Sequence, residues 1–345
     1  MTVRPCLTDL WCNLKKNLVP GAGTSVMANI REGGSCGPRN RRCVCSRSNS
    51  LKFARGSSND ETACSRSFQE FKREASLMIK VHDFNEKTLS ARMKGHSFIR
   101  AIHYFEAVDS TNTKACRLAL AGAPEGEVVT ADAQIKGKGR LDRVWQSPPG
   151  LNLYASLVLR PRIEPVMAPQ MTLMAGVAVA ELFSGCCPGR VSIKWPNDVL
   201  IGGRKACGIL TEMKAAAGCV DFIILGIGLN INMEPEDFDP ALRGAATSLK
   251  METGKPHDRL EMISRLFDSI EKWYRTFLVS GFPGLRGTWL GFADILGRRI
   301  RAVYKDECQS GVVTGIDDDG AILMKDEDGR SQRVMAGDIH ILKTS

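Results

Sequence analysis

Between residues 98 and 292 apolar positions recur at intervals of two in some segments and of three and four in others, which predicts a mixed α+β domain. Residues 102–105 (Ile-His-Tyr-Phe) read as a strand. The run Asp109-Ser110-Thr111-Asn112 offers several N-caps for a helix that ends near Ala121 and is closed by Gly122. Further strands are expected over 127–133, 153–159, 191–195, 199–201, 207–213 and 222–232, with Gly202-Gly203 as a tight hairpin turn. Residues 168–183 are mostly apolar and read as a helix lying on the sheet. Leu260, Ile263, Leu266, Phe267, Ile270, Trp273, Tyr274 and Phe277 keep a helical period over 257–277. Past residue 298 the texture shifts to short apolar runs at 299–303, 309–316, 320–325 and 330–336. Asp- and Gly-rich turns at 317–320 and 326–329 join them, which predicts a small β-barrel.

The first ninety residues show little periodicity. Ser, Arg, Gly, Asn and Cys dominate, and residues 33–50 hold too little apolar surface to offset the entropy of ordering them. Residues 1–95 are therefore expected to be a disordered basic leader, a targeting segment or an upstream extension of the reading frame, with Met78 and Met93 as alternative starts. The chain has 345 residues and a net charge of +9, a balance that by itself suggests nucleic acid or an acidic membrane. Residues 1–80 alone carry 14 Lys/Arg against 6 Asp/Glu, so the rest of the chain is nearly neutral and the charge belongs to the leader.

Six of the 12 cysteines (Cys6, Cys12, Cys36, Cys43, Cys45, Cys64) fall in the leader without zinc-ligand spacing, and the others are scattered as in a reduced, cytoplasmic protein. The longest apolar stretch, about 167–183, is broken by Pro169, Gln170, Thr172 and Glu181 and suits a buried helix better than a membrane span. The N-terminus lacks the continuous apolar core of a secretory signal.

Candidate chemistry begins at Lys136-Gly137-Lys138-Gly139-Arg140, a basic glycine loop between two expected strands. Its glycines would let backbone N–H groups approach an anion, and its cations suit a carboxylate or phosphate. Such a loop is also a common solvated turn, and the spacing is neither that of a Walker loop nor of a dinucleotide fingerprint. The ordered series around it is more specific. It runs from Asp109-Ser110-Thr111-Asn112 through Gln134, the basic loop with Trp145, and Asn152-Leu153-Tyr154. It continues with Lys194-Trp195-Pro196-Asn197-Asp198-Val199, Lys205 and Gly208-Ile209-Leu210-Thr211-Glu212, and ends with Gly226-Ile227-Gly228-Leu229-Asn230 and Thr247-Ser248-Leu249.

This series resembles the catalytic domain of the bacterial biotin–protein ligases, strongly over 102–249 and loosely in the tail; KWPNDV is the piece that separates biotin from lipoate ligases. The resemblance implies a class II synthetase-like mixed sheet over 96–292 and an SH3-like β-barrel over 293–345. It implies that Ser110, Thr111, Asn112 and Gln134 bind the ureido ring of biotin, whose donors and acceptor match hydroxyl and amide groups. For Ser110 and Thr111 a plain helix cap is the alternative. Lys138, Gly139 and Arg140 would close over the biotin carboxylate and the nucleotide phosphate, and Lys205 would reach both. Lys205 and Arg140 are thus the implied catalytic cations. Asn197, Gly226, Gly228 and Asn230 would border the nucleotide. Asp198 would bind Mg²⁺ or orient an incoming amine, with a turn cap equally open.

The implied substrates are ATP and biotin, with Mg²⁺. The implied partner is a biotin carboxyl carrier domain, and the implied assembly is a monomer or homodimer. Two features depart from the family pattern. Lys138 stands where arginine is usual, and Asp142 replaces a common glycine, where it would either pair with Arg143 or weaken retention of the intermediate. The competing readings are a lipoate or other acyl-carrier ligase on the same fold and a DNA-binding repressor. Residues 1–90 lack the two periodic helices that a helix-turn-helix needs, so nucleic acid is not the expected partner.

Overall fold

The computed structural model describes residues 84–304 and 307–342, all within one unit spanning Arg73–Ser345. The expectations for residues 1–83 lie outside the described residues.

A seven-stranded mixed sheet forms the platform: β1 (Ala101–Val108), β2 (Glu127–Gln134), β3 (Leu153–Leu159), β4 (Val191–Lys194), β5 (Asp198–Ile201), β6 (Arg204–Ala216) and β7 (Cys219–Leu229). Its order is β1-β2-β3-β7-β6-β5-β4, and only β1 and β2 run parallel. That parallel pair is joined by α2 (Thr111–Leu120), the crossover a parallel connection requires. Every residue of β3 is buried, and its alternate side chains serve two cores. Val158 joins Val129, Phe222 and Ile224 beneath α2, while Leu157 and Leu159 enter the main core with Leu225 and Ile227.

Beneath the other face lie α1 (Glu86–Met93), α3 (Gln170–Ser184), α5 (Arg259–Ser280) and α6 (Pro283–Phe292). Residues 165–184 are long and apolar enough by composition to cross a bilayer, but the helix is packed against the sheet, α5 and α6. The short α4 (Leu249–Thr253) follows the strap that leads away from β7. The hairpin between β5 and β6 turns on Gly202 and Gly203, both left-handed at φ 57° and 77°, as a two-residue turn of this hand requires.

The expected leader boundary at residue 95 is displaced. Residues 86–93 form α1, with Asn85 closing a capping box to Thr88 and with Phe84, Leu89 and Met93 buried in the core. Met93, one of the two alternative starts, is itself a core residue. The segment looked polar because only two of its eight helical residues are buried. Burying each contributes roughly 1.5–3 kcal/mol, which outweighs weak helical periodicity.

The C-terminal region is a five-stranded antiparallel sheet of SH3-like type: β8 (Arg299–Tyr304), β9 (Glu307–Ile316), β10 (Ile322–Lys325), β11 (Ser331–Val334) and β12 (Asp338–Ile341), in the order β11-β10-β9-β8-β12. The expected fourth strand stops at Val334, and β12 was not expected at all. Its four residues are too few for a period to emerge. The barrel docks through Trp195, whose indole N–H donates to the Gly320 carbonyl at 3.0 Å, and through an Arg286–Asp318 ion pair from α6.

Candidate active site

β6 and β7 set Gly208 opposite Gly228 and Leu210 opposite Gly226 on one face of the sheet. A cavity of about 350 Å³ opens above them, walled by the start of α2, the 134–146 loop, the start of β5, the strap residues Phe238, Leu242 and Ala246, and β12. Trp145 lies across the glycine floor. A Cβ at Gly208 would come within 2.7 Å of its ring and one at Gly228 within 2.5 Å, so only glycine admits this indole.

One end of the cavity is a hydrogen-bonded network. Gln134 Oε1 accepts from the Thr111 backbone N–H at 2.9 Å and from its hydroxyl at 3.1 Å, and Gln134 Nε2 donates to Ser147 at 2.9 Å. Ser156 donates to Asn112 Oδ1 at 2.6 Å, and Asn112 Nδ2 donates to Glu212 at 2.8 Å. Ser110 N-caps α2 without a side-chain bond to the helix, and it lines the cavity. Its expected capping role is therefore not made through the hydroxyl.

The cations stand each beside a carboxylate, and Lys138 adjoins the network itself, since its partner Glu212 also accepts from Asn112. Lys205 Nζ lies 2.7 Å from Asp198 and 5.4 Å from the centre of a Trp145 ring. Lys138 pairs with Glu212 at 3.2 Å. Arg140 reaches out of the loop to Asn197 Oδ1 at 3.2 Å, to the Gly337 carbonyl and to Asp338 at 3.3 Å. Arg143 also pairs with Asp338 and not with Asp142, which settles one of the two roles considered for that departure. Leu141 and Asp142 are both left-handed, at φ 53° and 56°, a conformation that costs a non-glycine residue roughly 1–2 kcal/mol. This is a physical reason for glycine at the second position.

Every expected site residue lines this one cavity: Ser110, Thr111, Asn112, Gln134, Lys138, Gly139, Arg140, Asn197, Asp198, Lys205, Gly226, Gly228 and Asn230. Asn230 also has a scaffolding task, donating to the carbonyls of Thr247 at 3.0 Å and Lys205 at 3.4 Å. The cavity adds residues that the motif reading did not assign: Trp145, which lay within the motif series, and Asp338, Ile339 and His340 from β12. Ser156 supports the wall from behind. No sequence spacing connects β12 to a loop two hundred residues earlier.

A resident metal does not fit. No group of three His, Cys, Asp or Glu side chains that could hold one occurs among the described residues, and the Asp198 carboxylate already faces an ammonium. Cys207, behind the floor, is fully buried, and burial pushes its thiol far up, so it is not a nucleophile.

The contact with β12 gives a testable result. In Asp338→Ala, Arg140 and Arg143 lose their shared anion. Trypsin should then cut the 136–145 loop faster, as read by mass spectrometry, with little change in Tm because partly exposed pairs contribute only about 0–1 kcal/mol. An unchanged cleavage rate would show that the loop is held by other contacts.

Known proteins resemble this chain in sequence and in fold. Residues 104–230 match the model of the biotin/lipoate A/B protein ligase family, and residues 295–342 match the biotin protein ligase C-terminal domain. The bifunctional ligase/repressor BirA of Bacillus subtilis is 37% identical over 265 residues, covering 77% of this chain and 81% of that protein. The biotin–[acetyl-CoA-carboxylase] ligase of Paracoccus denitrificans is 35% identical over 227 residues, covering 64% of this chain and 93% of the relative. A biotin protein ligase from Aquifex aeolicus, solved with biotin and ATP, superimposes with a TM-score of 0.61 at 28% identity, over 70% of this chain and 99% of its own. On fold, motif order and relatives together, the chain belongs to the biotin–protein ligase family.

Proposed function

We propose that this ligase activates biotin as biotinyl-5′-adenylate and transfers it to a lysine of a biotin carboxyl carrier domain. The observation that carries this is one cavity lined both by a hydrogen-bonded group of hydroxyls and amides and by the cations Lys138, Arg140 and Lys205. A ureido ring offers two N–H donors and one carbonyl acceptor, and Ser110, Thr111, Asn112 and Gln134 answer it with hydroxyls and amides. The valerate chain would run along the Trp145 indole that covers the glycine floor, carrying its carboxylate to Lys205. Lys138, Arg140 and Lys205 would then hold the carboxylate and the α-phosphate of ATP together, two anions that otherwise repel.

Biotin carboxylate oxygen attacks the α-phosphorus and pyrophosphate leaves with the electrons of the broken bond. The acceptor amine then attacks the acyl carbon, AMP leaves, and the amine loses a proton. Trp145 and the strap side chains Phe238 and Leu242 would cover the mixed anhydride and exclude water. Magnesium would enter with the phosphates of ATP rather than from a site of its own. Asp198 would hold Lys205 in place until the anions arrive.

Lipoate activation on the same fold is the second reading, because the family model covers both ligases. Pyrophosphate exchange into ATP distinguishes them. Exchange is expected to depend on biotin and to be unaffected by excess lipoate. Exchange driven by lipoate alone would overturn the assignment.

A further inference from the structure

Glu252 is an acid buried outside the cavity yet tied to the cavity's lysine. Its side chain is 2% exposed and meets Arg190, the Arg204 guanidinium at 2.6 Å and the Thr247 hydroxyl, which donates at 2.6 Å. Burial alone would raise its pKa, but the Thr247 hydrogen bond and the Arg204 charge outweigh that and hold it below the usual carboxylate range. Arg204 immediately precedes Lys205 in β6. Thr247 ends a short parallel bridge in which the Lys205 N–H donates to Ala245 at 2.8 Å and the Thr247 N–H donates to the Lys205 carbonyl at 2.9 Å. Both backbone groups of Lys205 are thus bonded to a strap whose last residue, like the preceding strand residue, is anchored on one carboxylate.

We propose that Glu252 is a positioning residue for Lys205, fixing the backbone from which the ammonium reaches the cavity. This rests on the reading of Lys205 given above. The cluster contains its own control. Arg190 meets the same carboxylate, but it comes from the turn before β4, and its backbone carbonyl bonds Gly202, not Lys205. A purely structural cluster would lose the same on removal of either arginine. A positioning role makes Arg204 the more costly loss, because misplacing a catalytic group by a fraction of an ångström slows turnover without weakening the binding of a distant part of the substrate.

The test compares Arg204→Gln, Arg190→Gln and Lys205→Ala in the full chain by biotin-dependent ATP–pyrophosphate exchange and thermal unfolding. Arg204→Gln should lower kcat by about tenfold, a larger change than any rise in the biotin KM. Arg190→Gln should keep kcat even where its Tm falls by as much. Glu252→Gln, if it folds, should follow Arg204→Gln. Equal kcat losses in the two arginine variants, or none in Arg204→Gln, would overturn the proposal while loss of exchange in Lys205→Ala leaves the active-site reading standing. Full exchange in Lys205→Ala would overturn both.

Discussion

Lys205→Ala should abolish biotin-dependent ATP–pyrophosphate exchange, with kcat falling at least about a hundredfold, the usual cost of removing one group that stabilises developing charge in an enclosed site. Two losses combine here. The reacting carboxylate and the α-phosphate lose the cation proposed to stand between them, and Asp198, only 16% exposed in its side chain, is left as an unpaired anion where the proposal has two more anions bind. The double variant Lys205→Ala/Asp198→Asn should therefore exchange better than Lys205→Ala alone, although both stay far below wild type. If the single variant keeps near-normal exchange under radiolabelled pyrophosphate, Lys205 is not the catalytic cation.

The second large effect is expected at the floor. In Gly226→Ala the new methyl would stand 2.0 Å from Asn112 Oδ1 and 2.7 Å from its Cγ. Asn112 has no free direction of retreat. It is 4% exposed, accepts from Ser156, and donates to the Leu210 carbonyl and to Glu212. Overpacking of this kind costs about 1–3 kcal/mol, and each kcal/mol lowers Tm by roughly 2–4 °C in a domain of this size. Displacing Asn112 also breaks the network proposed to receive the ureido ring, so calorimetry should show weakened biotin binding along with the lower Tm. A variant with native Tm and native biotin affinity would mean that Asn112 can move aside and is not part of the ring site.

Much of this was legible in the residues, for reasons that differ by element. β3 was expected over 153–159 and occupies those residues, because a seven-residue run, apolar but for Ser156 and bounded by polar turns, has few other uses. α5 announced itself by eight apolar residues at helical spacing, all but Leu260 fully buried. No element was expected over α6, whose sequence PGLRGTWLGF carries three glycines. Leu285 and Trp289, one turn apart and fully buried, are what hold it helical. β12 was too short to see.

The site divides in the same way. Its hydroxyls, amides, glycines and cations form an ordered motif series and could be named in advance. The partners of the cations were less accessible, because ion pairs such as Arg140–Asp338 and Lys138–Glu212 depend on how distant segments close over one another. Asp142 shows the limit most plainly. Its neighbour Arg143 suggested a local pair, yet the left-handed backbone carries Arg143 to the barrel instead.

The participation of β12 in the cavity bears on how the enzyme comes into being on the ribosome. The first wall residue is Ser110 and the last is His340. A nascent chain can complete the seven-stranded sheet and the glycine floor before β12 is made, but it cannot close the cavity over Arg140 and Arg143 until β12 has emerged from the exit tunnel. Fragments ending ahead of Asp338 would keep the wall formed by Thr111 and Gln134 and lack the anion that holds Arg140 and Arg143. They could occupy biotin without the completed site in which to spend it.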